Sequence, residues 1–188
     1  YIIIEVKKPK LKDGKVKNLF SPKDMNSDFM SEIGYGALMG ILKNYEVLNP
    51  FVTDSNDALN RLVPGFEAPV CIVTSLGKNY EVPSRNRSVL IGLIRDIDNP
   101  LATRFELRAP NPLSNTYLVL ASIYQAVVDG IKAVAVSNLD SKELESVFKG
   151  KTEAFMNEWK NTPAYNVTVP IKQGEKIIMS VSEGISVH

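Results

Sequence analysis

Between Leu113 and Val134 the residues Leu113, Tyr117, Leu120, Ala121, Tyr124, Val127, Val128, Ile131 and Val134 recur at helical spacing. The opposite side carries Asn115, Ser122, Gln125, Asp129 and Lys132. Asn111 reads as the N-cap, with Pro112 at the first helical position. A helix this long and this two-sided must bury its stripe. The segment just before it, Arg104-Phe105-Glu106-Leu107-Arg108, alternates as a strand does. The pair predicts a sheet whose Phe105 and Leu107 side is covered by the helix.

Other segments fit that frame. Tyr1 to Val6, Val70 to Ser75, Val89 to Ile94 and Thr103 to Arg108 read as strands. A second helix is expected from a cap at Asn26 or Ser27, through Phe29, Ile33, Ala37, Ile41 and Tyr45, to Asn49-Pro50. It contains Gly34, Gly36 and Gly40, each costing about 1 kcal/mol against alanine. Their return is close backbone packing against another element. Residues 51 to 69 read as loop, and 141 to 160 as helix with a break at Gly150. The alternation from Tyr165 to Ile171, with a turn at Gln173-Gly174, predicts a β-hairpin. The expected organisation is one domain over residues 1–160 and a hairpin tail over 161–188. Tyr1 stands where a strand is already under way, so the chain is expected to be a fragment of a longer protein.

Composition narrows the chemistry. Lysine and arginine total 22 against 21 acids, a net charge of +1, which argues against a nucleic-acid module driven by bulk charge. No apolar run approaches the roughly 18 residues of a bilayer span, so no membrane partner is expected. Cys71 has no second cysteine to pair with, which fits a reducing, cytoplasmic setting. The one histidine is His188. These residues therefore cannot build a Ser-His-Asp triad, an HExxH site or a zinc finger, and any metal would be held mainly by oxygen.

Three clusters could carry function. Arg104, Glu106 and Arg108 share one strand face. Two guanidiniums beside a carboxylate suit a metal-phosphate group, and they equally suit an exposed face with compensating charges. Arg85 and Arg87 add cations that could meet a polyphosphate or simply face water. Asn60 to Pro69 places Arg61 and Glu67 between prolines, where they could grip a carboxylate and move a proton, or form a loop salt bridge.

Together these residues resemble glutamine synthetase. Asn60 to Pro69 (NRLVPGFEAP), Arg85-Asn86-Arg87-Ser88, Arg104 to Pro112, Asn115-Thr116-Tyr117-Leu118 and Asp129-Gly130-Ile131 stand in that family's order and approximate spacing. The resemblance covers roughly residues 10 to 135 and points to the C-terminal part of the catalytic domain. It implies an α+β fold, a curved and mostly antiparallel sheet backed by helices, here truncated. It implies ATP-dependent ligation of ammonia to glutamate through a γ-glutamyl phosphate, with Mg2+ or Mn2+, in a homo-oligomer. Arg61 and Arg108 would hold the carboxylates of glutamate. Glu67 would shield the acyl phosphate and help deprotonate ammonium. Arg87 would contact the transferring phosphate, Arg104 and Arg85 the nucleotide phosphates, and Glu106 a divalent metal.

The chain also departs from the family. Gly92 stands where the family has an arginine, and Arg95 follows three residues later. Tyr1 to Glu5 lack the family's His-x-His pair, and other metal-binding glutamates and the small N-terminal domain are missing. Phosphoryl transfer needs metal ions and cations fixed together, so the isolated chain is expected to be inactive. The alternatives are a γ-glutamyl-amine ligase using a larger amine, and a structural or regulatory relative.

Overall fold

The computed structural model describes residues 2–4, 14, 16–55, 71–77, 79–82, 84, 89–147, 172–173 and 176–177. Four strands form one sheet: β1 (Ile2–Ile4), β2 (Cys71–Ser75), β3 (Val89–Ile94) and β4 (Arg104–Leu107), in the order β1-β4-β3-β2. β4 runs antiparallel to both its neighbours, and β2 runs parallel to β3. The sheet is therefore mixed, with two of its three pairings antiparallel as expected. Phe105 and Leu107 are buried on β4 while Arg104 and Glu106 are half-buried, which is the alternation read from the sequence.

The first helix, α1, is Glu32–Val52. Its cap is Ser31, whose Oγ accepts from the Gly34 N–H at 3.1 Å, and not Asn26 or Ser27. The earlier residues close a turn instead. The Asp24 carboxylate accepts from the Asn26 N–H at 2.9 Å, and the Asp24 carbonyl accepts from the Asp28 N–H at 3.2 Å. Pro50 does not stop the helix. It lies in the last turn, where the Thr53 N–H still donates to the Asn49 carbonyl at 2.8 Å.

The second helix, α2, is Thr116–Ser137. Asn115 caps it by accepting from the Tyr117 and Leu118 N–H groups at 3.0 and 3.2 Å. Asn111-Pro112 does not begin the helix, because this stretch is stitched to the end of α1. The Asn111 N–H and the Ser114 hydroxyl both donate to the Val52 carbonyl at 3.0 Å. Asn138 ends the helix in the left-handed region with φ 55.

α2 does not cover the sheet; it packs along α1. The contact is made by glycines. A Cβ on Gly130 would lie 2.0 Å from the Gly36 carbonyl oxygen and 2.7 Å from the Gly40 Cα. A Cβ on Gly40 would lie 2.1 Å from the Ala126 carbonyl oxygen. The close approach expected of the α1 glycines is present, and it decides which side of α2 turns inward. Val119, Ile123, Ala126, Val127 and Gly130 are buried, while Leu113, Tyr117, Tyr124 and Val128 are exposed. The small residues fit the crossing, so Leu113, Tyr117, Tyr124 and Val128 of the stripe read from the sequence face outward, while Val127, Ile131 and Val134 pack towards the core. By length and mean hydropathy alone α2 is long and apolar enough to cross a membrane, a test that the core helix of a soluble protein also passes. Ser122, Gln125 and Asp129 interrupt its apolar residues, so no continuous apolar run of that length is present.

The core joins Tyr35, Leu38, Ile41 and Tyr45 of α1 to Ile91, Leu93, Phe105 and Leu107 of the sheet. Phe20 and Phe105 pack with ring centroids 4.7 Å apart. Residues 141–147 are helical and begin with a capping box. Asp140 accepts from the Glu143 N–H while Glu143 accepts from the Asp140 N–H, both at 2.9 Å. The expected continuation to 160 lies outside the described residues. Of the tail hairpin, the antiparallel pairs Lys172 with Ile177 and Gln173 with Lys176 are described.

Candidate functional site

β4 lies between β1 and β3, so residues on its polar face are flanked on both sides. Glu106 stands level with Ile3 on β1 and Gly92 on β3. Arg108 follows two residues later on the same face, and its N–H donates to the Leu90 carbonyl at 3.0 Å. Its Nη2 donates to Glu106 Oε2 at 3.2 Å. Side-chain exposure is 6% for Arg108 and 23% for Glu106, so the pair is largely withdrawn from water. Withdrawal strengthens a charge pair and makes it directional. Arg104 shares the face but turns aside, donating from Nη1 to the Ala102 carbonyl at 3.2 Å.

The structure thus brings Glu106 and Arg108 into contact and places Arg104 beside them on one face. Arg61, Glu67, Arg85 and Arg87 lie outside the described residues. Arg108 presents a planar fork of donors, one of which is engaged by the Glu106 carboxylate.

Arg95, which follows Gly92 by three positions, does not join this face. It continues the alternation of Ile91 and Leu93 and points to the core side of the sheet. There its guanidinium donates to the carbonyls of Asp28 at 2.9 Å, of Phe29 at 3.4 Å and of Met25. It also lies 5.8 Å from the centre of the Phe29 ring. Burial pushes Arg95 below its ordinary pKa. Its place is that of a brace for the 25–29 turn.

The same turn anchors a polar cluster that the sequence reading missed. Lys142 pairs with Asp28 at 3.0 Å, and Glu145 accepts from the Tyr80 hydroxyl at 3.1 and 3.2 Å. No spacing rule links residues 28, 80 and 142, so only the fold could reveal it.

A divalent cation wants about six oxygens. At the level of Glu106 the adjacent strands carry Ile3 and Gly92, which have no ligating side-chain atom. No group of three or more His, Cys, Asp or Glu residues that could hold a metal occurs among the described residues. Glu106 fits as a single ligand, and the described residues do not form a cage.

Comparisons with known proteins point to the same family as the resemblance. A family model described as glutamine synthetase, catalytic domain, matches residues 10–153. The glutamine synthetase of Pasteurella multocida is 39% identical over 102 residues, covering 54% of this chain and 20% of that protein. That of Methylococcus capsulatus is 41% identical over 121 residues, covering 64% of this chain and 23% of that protein. The solved structure of Plasmodium falciparum glutamine synthetase superposes with a TM-score of 0.53 at 33% identity, covering 62% of this chain and 21% of that one. The chain therefore spans roughly a fifth of the length of these proteins. Matched over most of its own length, this chain belongs to the glutamine synthetase catalytic-domain family.

Proposed function

We propose that this chain supplies the amino-acid and phosphate wall of an ATP-dependent ligase that joins ammonia to L-glutamate. The observation that carries the reading is the withdrawn Arg108–Glu106 pair on the polar face of β4, in a chain of this family. Arg108 offers a fixed fork to a carboxylate of glutamate, with Arg61 taking the other. Arg104, Arg85 and Arg87 supply positive charge where the phosphates of ATP lie. A γ-carboxylate oxygen of glutamate attacks the γ-phosphorus and ADP leaves. Ammonia then attacks the acyl carbon and phosphate leaves, yielding glutamine. Glu67 covers the acyl phosphate from water and takes the proton from ammonium. Glu106 would be one ligand of a Mg2+ or Mn2+ ion, with the remaining ligands from outside the described residues, and such an ion would supply charge neutralisation at the phosphates.

On this reading the chain is part of a longer cytoplasmic homo-oligomeric enzyme, and its 188 residues alone give no turnover. The test is to supply ¹⁵N-ammonium, glutamate and ATP to the full-length protein carrying this chain. Label in the glutamine amide, matched by ADP, is the expected result. ATP and glutamate left unconsumed would refute the reading, and faster consumption with larger amines would reassign the nucleophile.

A further inference from the structure

Tyr80 lies in the connection between β2 and β3, yet its side chain is tied to two distant parts of the chain. Its ring packs on Phe29 with centroids 4.7 Å apart and planes inclined at 57°. Its hydroxyl uses both of its hydrogen-bonding roles. It donates to the Glu145 carboxylate, whose two oxygens lie at 3.1 and 3.2 Å, and it accepts from the Lys142 ammonium at 3.1 Å. Lys142 is held in turn by Asp28 at 3.0 Å, by Glu145 at 3.9 Å and by the Ser27 carbonyl. Glu145 is buried and Phe29 belongs to the core, so the partners of Tyr80 are themselves fixed. The backbone beside Tyr80 is also set. The Asn79 side-chain oxygen accepts from the Glu81 N–H at 3.1 Å and from the Val82 N–H at 2.8 Å.

Burying a carboxylate and pairing it with an ammonium does little for net stability, so this seat calls for another use. The sequence supplies one. Arg85 and Arg87 are among the six residues between Val82 and Val89, the first residue of β3. With Tyr80 seated, the chain is fixed on both sides of that stretch. Without the seat, the nearest regular element before Arg85 is β2, which ends at Ser75. A longer stretch between fixed points costs more entropy to order around a ligand.

We propose that Tyr80 is a positioning residue: seated on Phe29, Lys142 and Glu145, it fixes the segment that carries Arg85 and Arg87 and thereby sets the affinity for the phosphates of ATP. This rests on the reading of Arg85 and Arg87 as phosphate contacts.

The test is Tyr80→Phe, Tyr80→Ala and the Arg85→Ala/Arg87→Ala pair in the full-length protein, with two readouts. The first is kinetic. Tyr80→Ala raises the KM for ATP about tenfold while the KM for glutamate stays within about twofold, a split that loss of folded protein does not produce. Tyr80→Phe keeps the ring contact and raises the ATP KM about threefold, which decides the matter if the alanine variant folds poorly. Combined with the arginine pair, the change at 80 adds nothing further. The second readout needs no activity. It is the rate of tryptic cleavage after Arg85 and Arg87, read by peptide mass below the melting temperature. That rate rises about tenfold in Tyr80→Ala, with cleavage elsewhere unchanged. An unchanged ATP KM in both Tyr80 variants overturns the proposal, whatever happens to the melting temperature, and so does a penalty that simply adds to that of the arginine pair. The arginine pair alone separates the two possible failures. If it weakens ATP and the Tyr80 variants do not, only the role of Tyr80 falls. If it leaves the ATP KM unchanged, the phosphate reading falls as well.

Discussion

Gly130→Ala puts one methyl into the crossing of α1 and α2. Its Cβ would sit 2.0 Å from the Gly36 carbonyl oxygen and 2.7 Å from the Gly40 Cα, against an ordinary contact of at least 3.4 Å. Both obstacles are backbone on a helix of 21 residues, so no side chain can rotate away. The helices must separate by more than 1 Å, which removes dispersion contact along the whole seam. Overpacking of this kind costs about 1–3 kcal/mol, and backbone obstacles place it at the upper end. Alanine returns about 1 kcal/mol of helix propensity. The net loss is about 2 kcal/mol, a fall of roughly 4–8 °C in melting temperature for a chain of this size. Urea denaturation followed by far-ultraviolet circular dichroism measures it. Gly34→Ala is the control. Its Cβ would meet the Met30 Cβ at 2.9 Å and the Phe20 carbonyl at 3.2 Å, so its cost is smaller and the propensity gain nearly cancels it. A Gly130→Ala protein as stable as the parent, or more stable, would show that the helices do not cross here.

Further outcomes follow from the same contacts. Arg95→Ala leaves the carbonyls of Met25, Asp28 and Phe29 without their donor and lowers stability by about 3 kcal/mol, with no specific change in glutamate or ATP KM; a selective KM change instead would move Arg95 into the substrate site. Burial holds the Tyr35 phenol above its ordinary value of about 10, with Glu145 and Asp28 adding to the effect. The unfolded chain releases the proton near pH 10, so stability is intact below that pH and falls above it. Denaturation midpoints from pH 8 to 11 show the slope, and Tyr35→Phe flattens it. Asn115→Ala removes the acceptor for two N–H groups at the start of α2 and costs about 1 kcal/mol by the same denaturation assay.

What could be read from the chain follows the range of each interaction. The alternation in Arg104 to Arg108 is local, so the sequence alone places Glu106 and Arg108 on one face. The α1 glycines announced a close approach, and they make one with Gly130. The rotation of α2 was not legible, because its inward side depends on Gly36 and Gly40, far away in sequence. Asn111-Pro112 carried a helix-start signature that its bonds to Val52 overrode. Gly92 read only as a missing arginine, since its contact with Arg108 exists through the β3–β4 register. Arg95 was within reach of the alternation rule, as it follows Leu93 by two. The roles of Arg61, Glu67, Arg85 and Arg87 rest on the family resemblance, as those residues lie outside the described ones.

The central claim is that the polar face of β4 receives the amino-acid substrate. A structure of the full-length protein with glutamate and a non-hydrolysable ATP analogue tests it most directly. The account predicts a glutamate carboxylate within hydrogen-bond distance of the Arg108 guanidinium, with Glu106 beside it and the nucleotide phosphates towards Arg104. Glutamate bound on another surface, with Arg108 still turned to Glu106 and touching no ligand, would contradict it.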